Sequence, residues 1–541
     1  MKINRWFIAS IALMLAVAAF AGCTGTSSST TSATGSIATD KAVASGNTAG
    51  PSGGIPPGGN VTAGGRGGPG GMMPGGNSSS SGMGPGGAPP SGGMGPGGNA
   101  TAGDMGGPGG MMPGGSSSAG STSGPGGSGS IPGGAPGSSS GSSSYTFSGV
   151  YALDGKTATE TNAQYTSSTR DVSAIYVTNG GDLTLTNPAI VTTGDTSSND
   201  ASSFYGLNAA VLASGGGRVT INGGSITTSG SGANGAFPTG TGSTIVLNGV
   251  SIKATGGGGH GVMATNGGTL VLTDVSIDTS GANSAPLATD RGSGTVTATG
   301  GTVVSSGRDS PAIYSTGVIT VTDATLTATG SEAAVIEGFN SITVSNSALT
   351  GGVEKTGGTM IYQSMSGDAN VGTGTFTMNG GTYTVTAGPA FFVTNTNAVI
   401  TLTGTTVTSA SDTLIKAAGT SQWGTSGKNG GTVIFTADNE KLTGSLVTDS
   451  ISSISVTLKN GSSLNGAINS AALTLDSTST WTVTGNSALT TLSDAGGITG
   501  TSITNIYGNG YTVTYDASLA GNSALGGKTY SLANGGTLVP E

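Results

Sequence analysis

A repeated pattern runs through residues 268–349 and limits what this chain can fold into. Each repeat has a short β-type run, a turn pair, a second β run, a patch of small residues and a third β run. Three residues after each turn pair comes an apolar residue, at successive spacings of 26, 23 and 23 residues: Ile277, Val303, Leu326 and Leu349. One such coil cannot bury its apolar face alone. A repeat of this length therefore predicts a solenoid in which stacked coils complete the core.

The same three-residue offset extends the pattern in both directions along the chain. The turn residues are Gly, Asn or Asp, which tolerate a positive φ. The turn and apolar residues of these further coils are Asn187 and Ile190, Gly223 and Ile226, Gly249 and Ile252, Gly380 and Tyr383, and Gly404 and Val407. We expect an all-β fold, a three-sheet parallel β-helix of about fifteen coils, which the preference of parallel crossovers makes right-handed.

Composition supports strands and excludes some classes of partner. Charged residues are 8% of the chain and aromatic residues 5%, whereas 105 of the 541 residues are glycine. Long runs rich in Thr, Ser, Gly and Val favour strands over helices. The formal net charge is −9 and no basic patch occurs. We therefore expect no binding to nucleic acid.

The N-terminal residues 1–23 have the layout of an export signal. Lys2 and Arg5 precede an apolar run from Trp6 to Phe20, which is too short for a confident membrane span. Residues Phe20 to Cys23 resemble the lipobox of bacterial-type lipoproteins, although Phe20 replaces the usual Leu. The resemblance implies cleavage before Cys23 and acylation of its thiol. We therefore expect an exported protein in the cell envelope, anchored to a membrane by lipid and facing the exterior.

Residues 24–144 form a low-complexity segment of Gly, Ser, Pro, Thr and Ala with seven methionines. It contains no aromatic residue and four charged residues, so nothing in it can nucleate a core. The composition predicts a disordered tether. The folded region is expected from residue 145 to residue 541, with less regular terminal coils from about residue 445.

The folded region resembles right-handed parallel β-helix proteins of the pectin-lyase-like superfamily, and among these the adhesin-like and autotransporter-passenger-like exported proteins. The coils of the type Gly-Gly-x-Leu-Thr-Leu-Thr-Asn and the segment Asn522–Pro540 carry the resemblance. It implies the architecture rather than an activity, because this fold hosts lyases, hydrolases, adhesins and stalks. The chain departs from autotransporters in having no amphipathic β-barrel pattern after the coils.

The sequence does not predict a catalytic site. Polysaccharide hydrolases of this fold use clustered Asp residues near a Gly-His-Gly, and Gly259-His260-Gly261 is present with the sole histidine. No Asp or Glu lies between Asp200 and His260, so the adjoining earlier coil offers no carboxylate pair. His260 also falls in a repeating position shared with Ala209, Ala285, Pro311, Ala333 and Pro389. We expect neither an enzyme nor a cofactor. The weak calcium candidate is a loop with oxygen ligands at Asp195, Asn199 and Asp200.

Three insertions interrupt the regular coils, and binding residues concentrate in loops on a rigid scaffold. Insertion 1 is Asp195–Gly206, ending after Phe204-Tyr205; insertion 2 is Gln363–Thr373; insertion 3 is Lys416–Gly430 and carries Trp423. Insertions 2 and 3 are expected at one corner, where they could wall a shallow groove, with insertion 1 at another corner several coils away. Trp423, Tyr205 and Phe204 could stack on sugar rings. Alternatively, each aromatic residue pins its loop to the solenoid.

Together these patterns indicate a lipid-anchored surface protein, an adhesin-like binding or structural protein whose partner is a surface or matrix polysaccharide. Two alternatives stay open, namely a polysaccharide lyase or glycoside hydrolase of the pectin-lyase-like fold, and an inert surface stalk.

The lipid anchor is testable because Cys23 is the only cysteine of the chain. Cys23→Ser is expected to move the protein from the membrane fraction to the soluble fraction or the medium and to abolish incorporation of labelled fatty acid. Ser27→Ala, which lies in the same segment, is the control and should leave both unchanged. A Cys23→Ser protein that stays in the membrane without label would show that the apolar run is an uncleaved anchor.

Overall fold

The computed structural model describes residues 145–364, 366–494 and 496–541, and they form an all-β parallel solenoid of about 16 turns. The export signal, Cys23 and the tether lie outside these residues. Two short helices interrupt the strands, an α-helix at Asn199–Tyr205 and a 3₁₀-helix at Ala520–Leu525. Within the described residues no helix has the length and apolarity needed to cross a membrane. The expected all-β solenoid is confirmed.

Each regular coil contributes one strand to each of three stacks, which we call sheets 1, 2 and 3 after the order of the runs in a coil. Sheet 1 contains Thr157–Thr161, Asp182–Thr186, Arg218–Asn222, Thr244–Asn248, Thr269–Thr273, Thr295–Thr299, Val318–Thr322, Ser341–Ser345, Thr373–Asn379, Thr396–Thr403, Gly431–Asp438 and Ser453–Lys459. Sheet 2 contains Gln164–Ser167, Ala189–Thr192, Ser225–Thr228, Ser251–Ala254, Ser276–Thr279, Thr302–Ser305, Thr325–Ala328, Ala348–Gly351, Thr382–Val385 and Thr406–Ser409. Sheet 3 contains Ser148–Asp154, Val172–Thr178, Val211–Ala213, Ala236–Pro238, Val262–Thr265, Leu287–Asp290, Ile313–Ser315, Ala334–Glu337, Thr359–Tyr362, Phe391–Thr394, Thr413–Ala417 and Ser445–Thr448.

The apolar residues that follow the turns form one continuous inward ladder along sheet 2. Each pairs with its equivalent in the next coil: Ile190, Ile226, Ile252, Ile277, Val303, Leu326, Leu349, Tyr383 and Val407. All except the partly buried Val407 are buried. Because equivalent side chains stack directly on one another, every coil completes the apolar surface of its neighbour. The predicted offset is confirmed.

The turn before this ladder requires a left-handed backbone. Asn187, Asp274, Asp323 and Asn346 have φ between 50° and 55°, and the glycines at the same place in other coils also have positive φ. Only Gly, Asn and Asp adopt this conformation readily, which is why the sequence is restricted there. The alternation of Gly with Asp or Asn therefore reflects backbone geometry rather than a ligand set.

The two ends of the solenoid are closed differently. In the first coil the rings of Tyr151 and Tyr165 meet at 5.2 Å, and the Tyr165 hydroxyl donates to Glu160 at 2.8 Å. Glu160 pairs with the inward-facing Leu185 of the next coil, so a carboxyl group stands where other coils have an apolar side chain. An inward-pointing charge on an edge strand opposes end-to-end pairing of β-proteins.

The C-terminal coils are less regular. Ile468–Leu475 pairs with strands of both sheet 3 and sheet 1 and contains register shifts. The remaining strands are Lys441–Thr443, Ser463–Asn465, Thr480–Thr482, Ser487–Ser493, Ile498–Thr499, Ser502–Tyr507, Thr512–Tyr515, Tyr530–Ala533 and Thr537–Pro540. Two of these pairings are antiparallel, Ile498–Thr499 with Ser502–Tyr507 and Tyr530–Ala533 with Thr537–Pro540. Antiparallel hairpins end the parallel stacking at this end.

The inward ladder predicts a large effect of a charge at its centre. Ile277→Asp places a carboxylate among buried apolar side chains and is expected to lower the free energy of unfolding by several kcal/mol, on the order of 3 or more. Ser276→Asp adds the same group at the neighbouring exposed position and should have little effect. Chemical denaturation of both variants measures the difference, and equal stabilities would show that the register is wrong.

Candidate functional site

The outer face of sheet 3 differs from the outer faces of the other two sheets. Outward positions of sheet 2, such as Ser251, Lys253, Ser276 and Asp278, are exposed. The equivalent column of sheet 3 is apolar and largely buried, although it lies outside the core: Leu212, Phe237, Met263, Ala288, Tyr314, Val335, Met360 and Phe392. Something must therefore cover this face, and the insertions do so.

Insertion 1 folds into a capped helix that lies on this column. The Ser198 side chain accepts a hydrogen bond from the Ala201 N–H, and the helix ends at Gly206, whose φ is 77°. A Cβ at Gly206 would lie 2.5 Å from Phe237 Cδ1, so the backbone approaches sheet 3 more closely than any side chain would permit. Insertion 1 therefore covers the column at Leu212 and Phe237.

The residues of the calcium candidate serve this local structure. Asp195 Oδ1 accepts the backbone N–H of Ser231 in the next coil at 2.8 Å. Asn199 and Asp200 are the first residues of the helix, where an acidic side chain suits the positive end of the helix dipole. Among the described residues no group of three or more Asp, Glu, His or Cys side chains could hold a metal ion.

Arg291 connects insertion 1 to insertion 2. The Phe204 carbonyl accepts hydrogen bonds from Thr265 Oγ1 and Asn266 Nδ2, both at 2.9 Å, which fixes the ring against sheet 3. The Arg291 guanidinium lies 3.7 Å from the centre of that ring and donates to Asp368 of insertion 2 at 2.7 Å. Insertion 1 leaves the solenoid between sheets 2 and 3, whereas insertions 2 and 3 follow sheet 3 strands several coils later, so the predicted difference in corner is confirmed. Arg291 nevertheless links the Phe204 ring of insertion 1 to Asp368 of insertion 2.

Insertion 2 is held by a buried carboxylate that the sequence pattern did not reveal. Glu337 Oε2 accepts hydrogen bonds from the hydroxyls of Tyr314 and Tyr362, each at 2.9 Å, and its other oxygen accepts the Ser364 hydroxyl. Burial raises the pKa of both tyrosines well above the usual value, and the charge of Glu337 adds to the effect. Both hydroxyls therefore stay protonated and act as donors.

Asp290 stands beside this network at the end of its sheet 3 strand. Burial, reinforced by the nearby carboxylate of Asp368, raises the pKa of Asp290 to about 8. Asp290 is therefore protonated near neutral pH, whereas Asp368 pairs with Arg291. Asp290, Glu337 and Asp368 thus form a carboxyl cluster on the outer face of sheet 3, over which insertions 1 and 2 meet.

Insertion 3 packs beside insertion 2, as the spacing predicts. Trp423 is only 5% exposed and its ring lies 5.1 Å from that of Tyr362, within a cluster that includes Val335, Met360 and Phe392. Asn395 links the two insertions by donating to the Gln363 carbonyl at 2.7 Å. The Trp423 ring therefore pins its loop to sheet 3, which is the alternative stated above, and its faces do not meet solvent.

The exposed aromatic residues on this side are Tyr205, which the sequence singles out, and Phe339, which it does not. Tyr205 is 40% exposed at the end of the helix, while Phe204 beside it is buried. Phe339 is 67% exposed and Val371 is 85% exposed. The Phe339 N–H donates to the Asn370 carbonyl at 2.8 Å, so the ring stands against insertion 2. Sequence reasoning missed Phe339 because it follows a coil of ordinary length.

His260 takes no part in this cluster. Its backbone N–H and Nδ1 both lie within hydrogen-bonding distance of Asn234 Oδ1, at 2.9 and 3.2 Å. Burial lowers the pKa of His260 to about 4, so the ring is neutral at physiological pH. This structural role agrees with the place of His260 in the repeating position shared with Ala209 and Ala285. One member of that set has to be corrected. Because Ile313 pairs with Ala334, the equivalent residue three coils later is Glu332 rather than Ala333.

No protein-family model matches this chain, and no curated protein or solved structure is similar to it by the comparisons made. The resemblance to pectin-lyase-like proteins therefore rests on the coil pattern and the parallel solenoid.

The burial of Trp423 changes the expected effect of removing it. Trp423→Ala deletes a ring packed on Tyr362, Met360 and Phe392 and is expected to destabilise the local structure of insertion 3 by about 3 kcal/mol. Backbone amides of residues 416–430 should then exchange with deuterium faster, while those of sheet 2 keep their rates. Trp423→Phe, which retains most of the contact, is the matched control. Unchanged exchange in Trp423→Ala would show that the ring does not anchor the loop.

Proposed function

We propose that this protein is a lipid-anchored cell-surface solenoid that acts as an adhesin-like binding protein and binds glycan on the outer face of sheet 3. The observation that carries the proposal is the exposed pair Phe339 and Val371 beside the carboxyl cluster, on the one face where the insertions converge. An exposed aromatic ring offers a flat apolar surface for a sugar ring at low entropic cost, and nearby carboxyl and hydroxyl groups suit sugar hydroxyls.

The position of the site on the solenoid supports this choice. The exposed outer strands of sheets 1 and 2 repeat Ser and Thr from coil to coil and offer many equivalent, weak surfaces. Among the described regular coils, the insertions make the outer face of sheet 3 different from these repeated surfaces. A rigid scaffold carrying irregular loops is the usual arrangement of binding sites.

Removal of the Phe339 ring tests this proposal. The full-length protein in mild detergent is passed over immobilised neutral, acidic and amino polysaccharides, and bound fractions are measured. Phe339→Ala is expected to weaken glycan binding roughly tenfold, corresponding to about 1.4 kcal/mol. Tyr507→Ala removes another exposed aromatic ring, from the C-terminal coils, and should leave binding unchanged. Failure of the unmodified protein to bind any glycan would favour an inert stalk.

A second function, cleavage of the bound polysaccharide by a glycoside hydrolase or lyase mechanism, is favoured by the neighbouring carboxyl groups of Asp290 and Asp368, of which Asp368 is paired with Arg291 and Asp290 has a pKa raised by burial. A protonated carboxyl group near an ionised one is the arrangement that glycoside hydrolysis requires, with one acting as general acid and the other as base or nucleophile. Asp290 and Asp368 would fill these roles. Release of reducing ends that is lost in Asp290→Asn, with binding retained, would establish cleavage; retention without release supports the binding function alone.

A further inference from the structure

Three consecutive coils place polar residues in one row at the floor of the proposed site. Leu287 pairs with Ile313, and Ile313 pairs with Ala334. Three residues further along each coil, the row therefore reads Asp290, Thr316 and Glu337. Side chains alternate along a strand, so this row lies on the same outer side as Ala288, Tyr314 and Val335. A hydroxyl thus stands between two carboxyl groups.

The Thr316 hydroxyl is the feature that points to a ligand. Thr316 is only 2% exposed, and its Oγ1 has no hydrogen-bond partner. A buried hydroxyl without a partner destabilises a protein by about 1–3 kcal/mol, so a ligand that hydrogen-bonds to Thr316 would recover part of this free energy. Its place between Asp290 and Glu337 suits a ligand group that donates several hydrogen bonds at once.

Arg291 is the protein cation that the structure shows beside this row. Its backbone N–H donates to Asp290 Oδ1 at 2.7 Å, while its guanidinium pairs with Asp368 and lies over the Phe204 ring. Lys355 and Lys416 lie over the rings of Trp423 and Phe392, and Glu337 has no ion pair among the described residues. A uronate carboxylate would meet like charges here, whereas an ammonium group would meet opposite ones.

Phe339 completes the arrangement at the same corner. The Ser341 N–H donates to the Gly317 carbonyl at 2.9 Å, so these two residues are paired between adjacent coils. Phe339 lies two residues before Ser341, and Thr316 lies directly before Gly317. The exposed ring therefore stands one coil away from the unpartnered hydroxyl. A sugar that lies on Phe339 brings its substituents towards the row of polar residues.

We propose that the glycan recognised at this face is an amino-sugar polymer with free amino groups, whose ammonium group is received by the carboxyl oxygens of Asp290 and the hydroxyl of Thr316 while a neighbouring ring stacks on Phe339. This inference rests on the proposed glycan-binding function and names its ligand class. Three donor hydrogens on an ammonium group match two carboxyl oxygens and the Thr316 hydroxyl. A metal ion is the less suitable occupant, because no metal-holding group occurs among the described residues.

Proton release is a further consequence of this arrangement. Asp290 is protonated near neutral pH, as burial and Asp368 raise its pKa. The groups that face it are Asp368, Glu337, Arg291, Tyr314 and Tyr362. An arriving ammonium favours the ionised carboxylate, so at about pH 5, where the amino groups of the ligand and Asp290 all carry their protons, binding should release up to about one proton per site. Calorimetry in two buffers of different ionisation enthalpy measures this number.

The test compares chitosan oligosaccharides, their fully N-acetylated equivalents and oligogalacturonates, each titrated into the full-length protein in mild detergent. The free-amine oligosaccharide is expected to bind at least about tenfold more tightly than the N-acetylated one, with proton release that the N-acetylated one lacks. Thr316→Val and Asp290→Asn should each reduce this preference. Asp278→Asn removes one exposed carboxylate from sheet 2 and controls for the acidity of the whole protein.

The outcomes separate this inference from the proposed function. Equal affinity for the acetylated and free-amine oligosaccharides, or tighter binding of oligogalacturonate, would overturn the ligand class and leave glycan binding intact. Loss of preference in Asp278→Asn equal to that in Asp290→Asn would also overturn it, since the attraction would then be unspecific. Absence of binding to all three overturns the proposed function itself.

Discussion

The stacking of identical apolar residues from coil to coil is the interaction on which the rest of the structure depends. The ladder from Ile190 to Val407 leaves each coil dependent on its neighbours for a closed core. Such a core is continuous along the axis and tolerates added residues only at the corners, where the chain leaves one strand and has not yet entered the next. Both the regularity of the sheets and the positions of the insertions follow from this constraint.

The insertions in turn depend on a second apolar surface. Sheet 3 carries apolar residues on both of its faces, so its outer column from Leu212 to Phe392 needs cover. The helix of insertion 1 and the Trp423 loop provide this cover, while Arg291 and Glu337 tie insertion 2 between them. Burying the carboxyl cluster under these loops is what raises the pKa of Asp290. The same packing leaves Phe339 and Val371 in solvent beside it.

The sequence predicts the repetitive part of the molecule well and the site poorly, for physical reasons. Inward residues such as Ile277 and Leu326 always lie three residues after a turn residue, so this short spacing is enough to predict which side chain enters the core. Asp290 and Glu337 belong to two different coils and Asp368 to insertion 2, and no local spacing encodes their meeting. For Trp423 the sequence leaves two interpretations open, stacking on a sugar ring or pinning the loop, because a position in a loop does not determine whether the ring is exposed. The runs of consecutive apolar residues around Leu212, Met263, Val335 and Phe392 could have indicated that both faces of sheet 3 are buried.

Hydrogen–deuterium exchange with and without saturating glycan tests most directly whether the outer face of sheet 3 is the binding face. With chitosan oligosaccharides as the probe, we predict that protection appears in residues 337–345 and in insertion 2, and that the exposed strands of sheet 2 exchange as in the free protein. Protection confined to sheets 1 and 2, or spread evenly along the solenoid, would contradict this account, because binding would then depend on the repetitive strands rather than on the insertions.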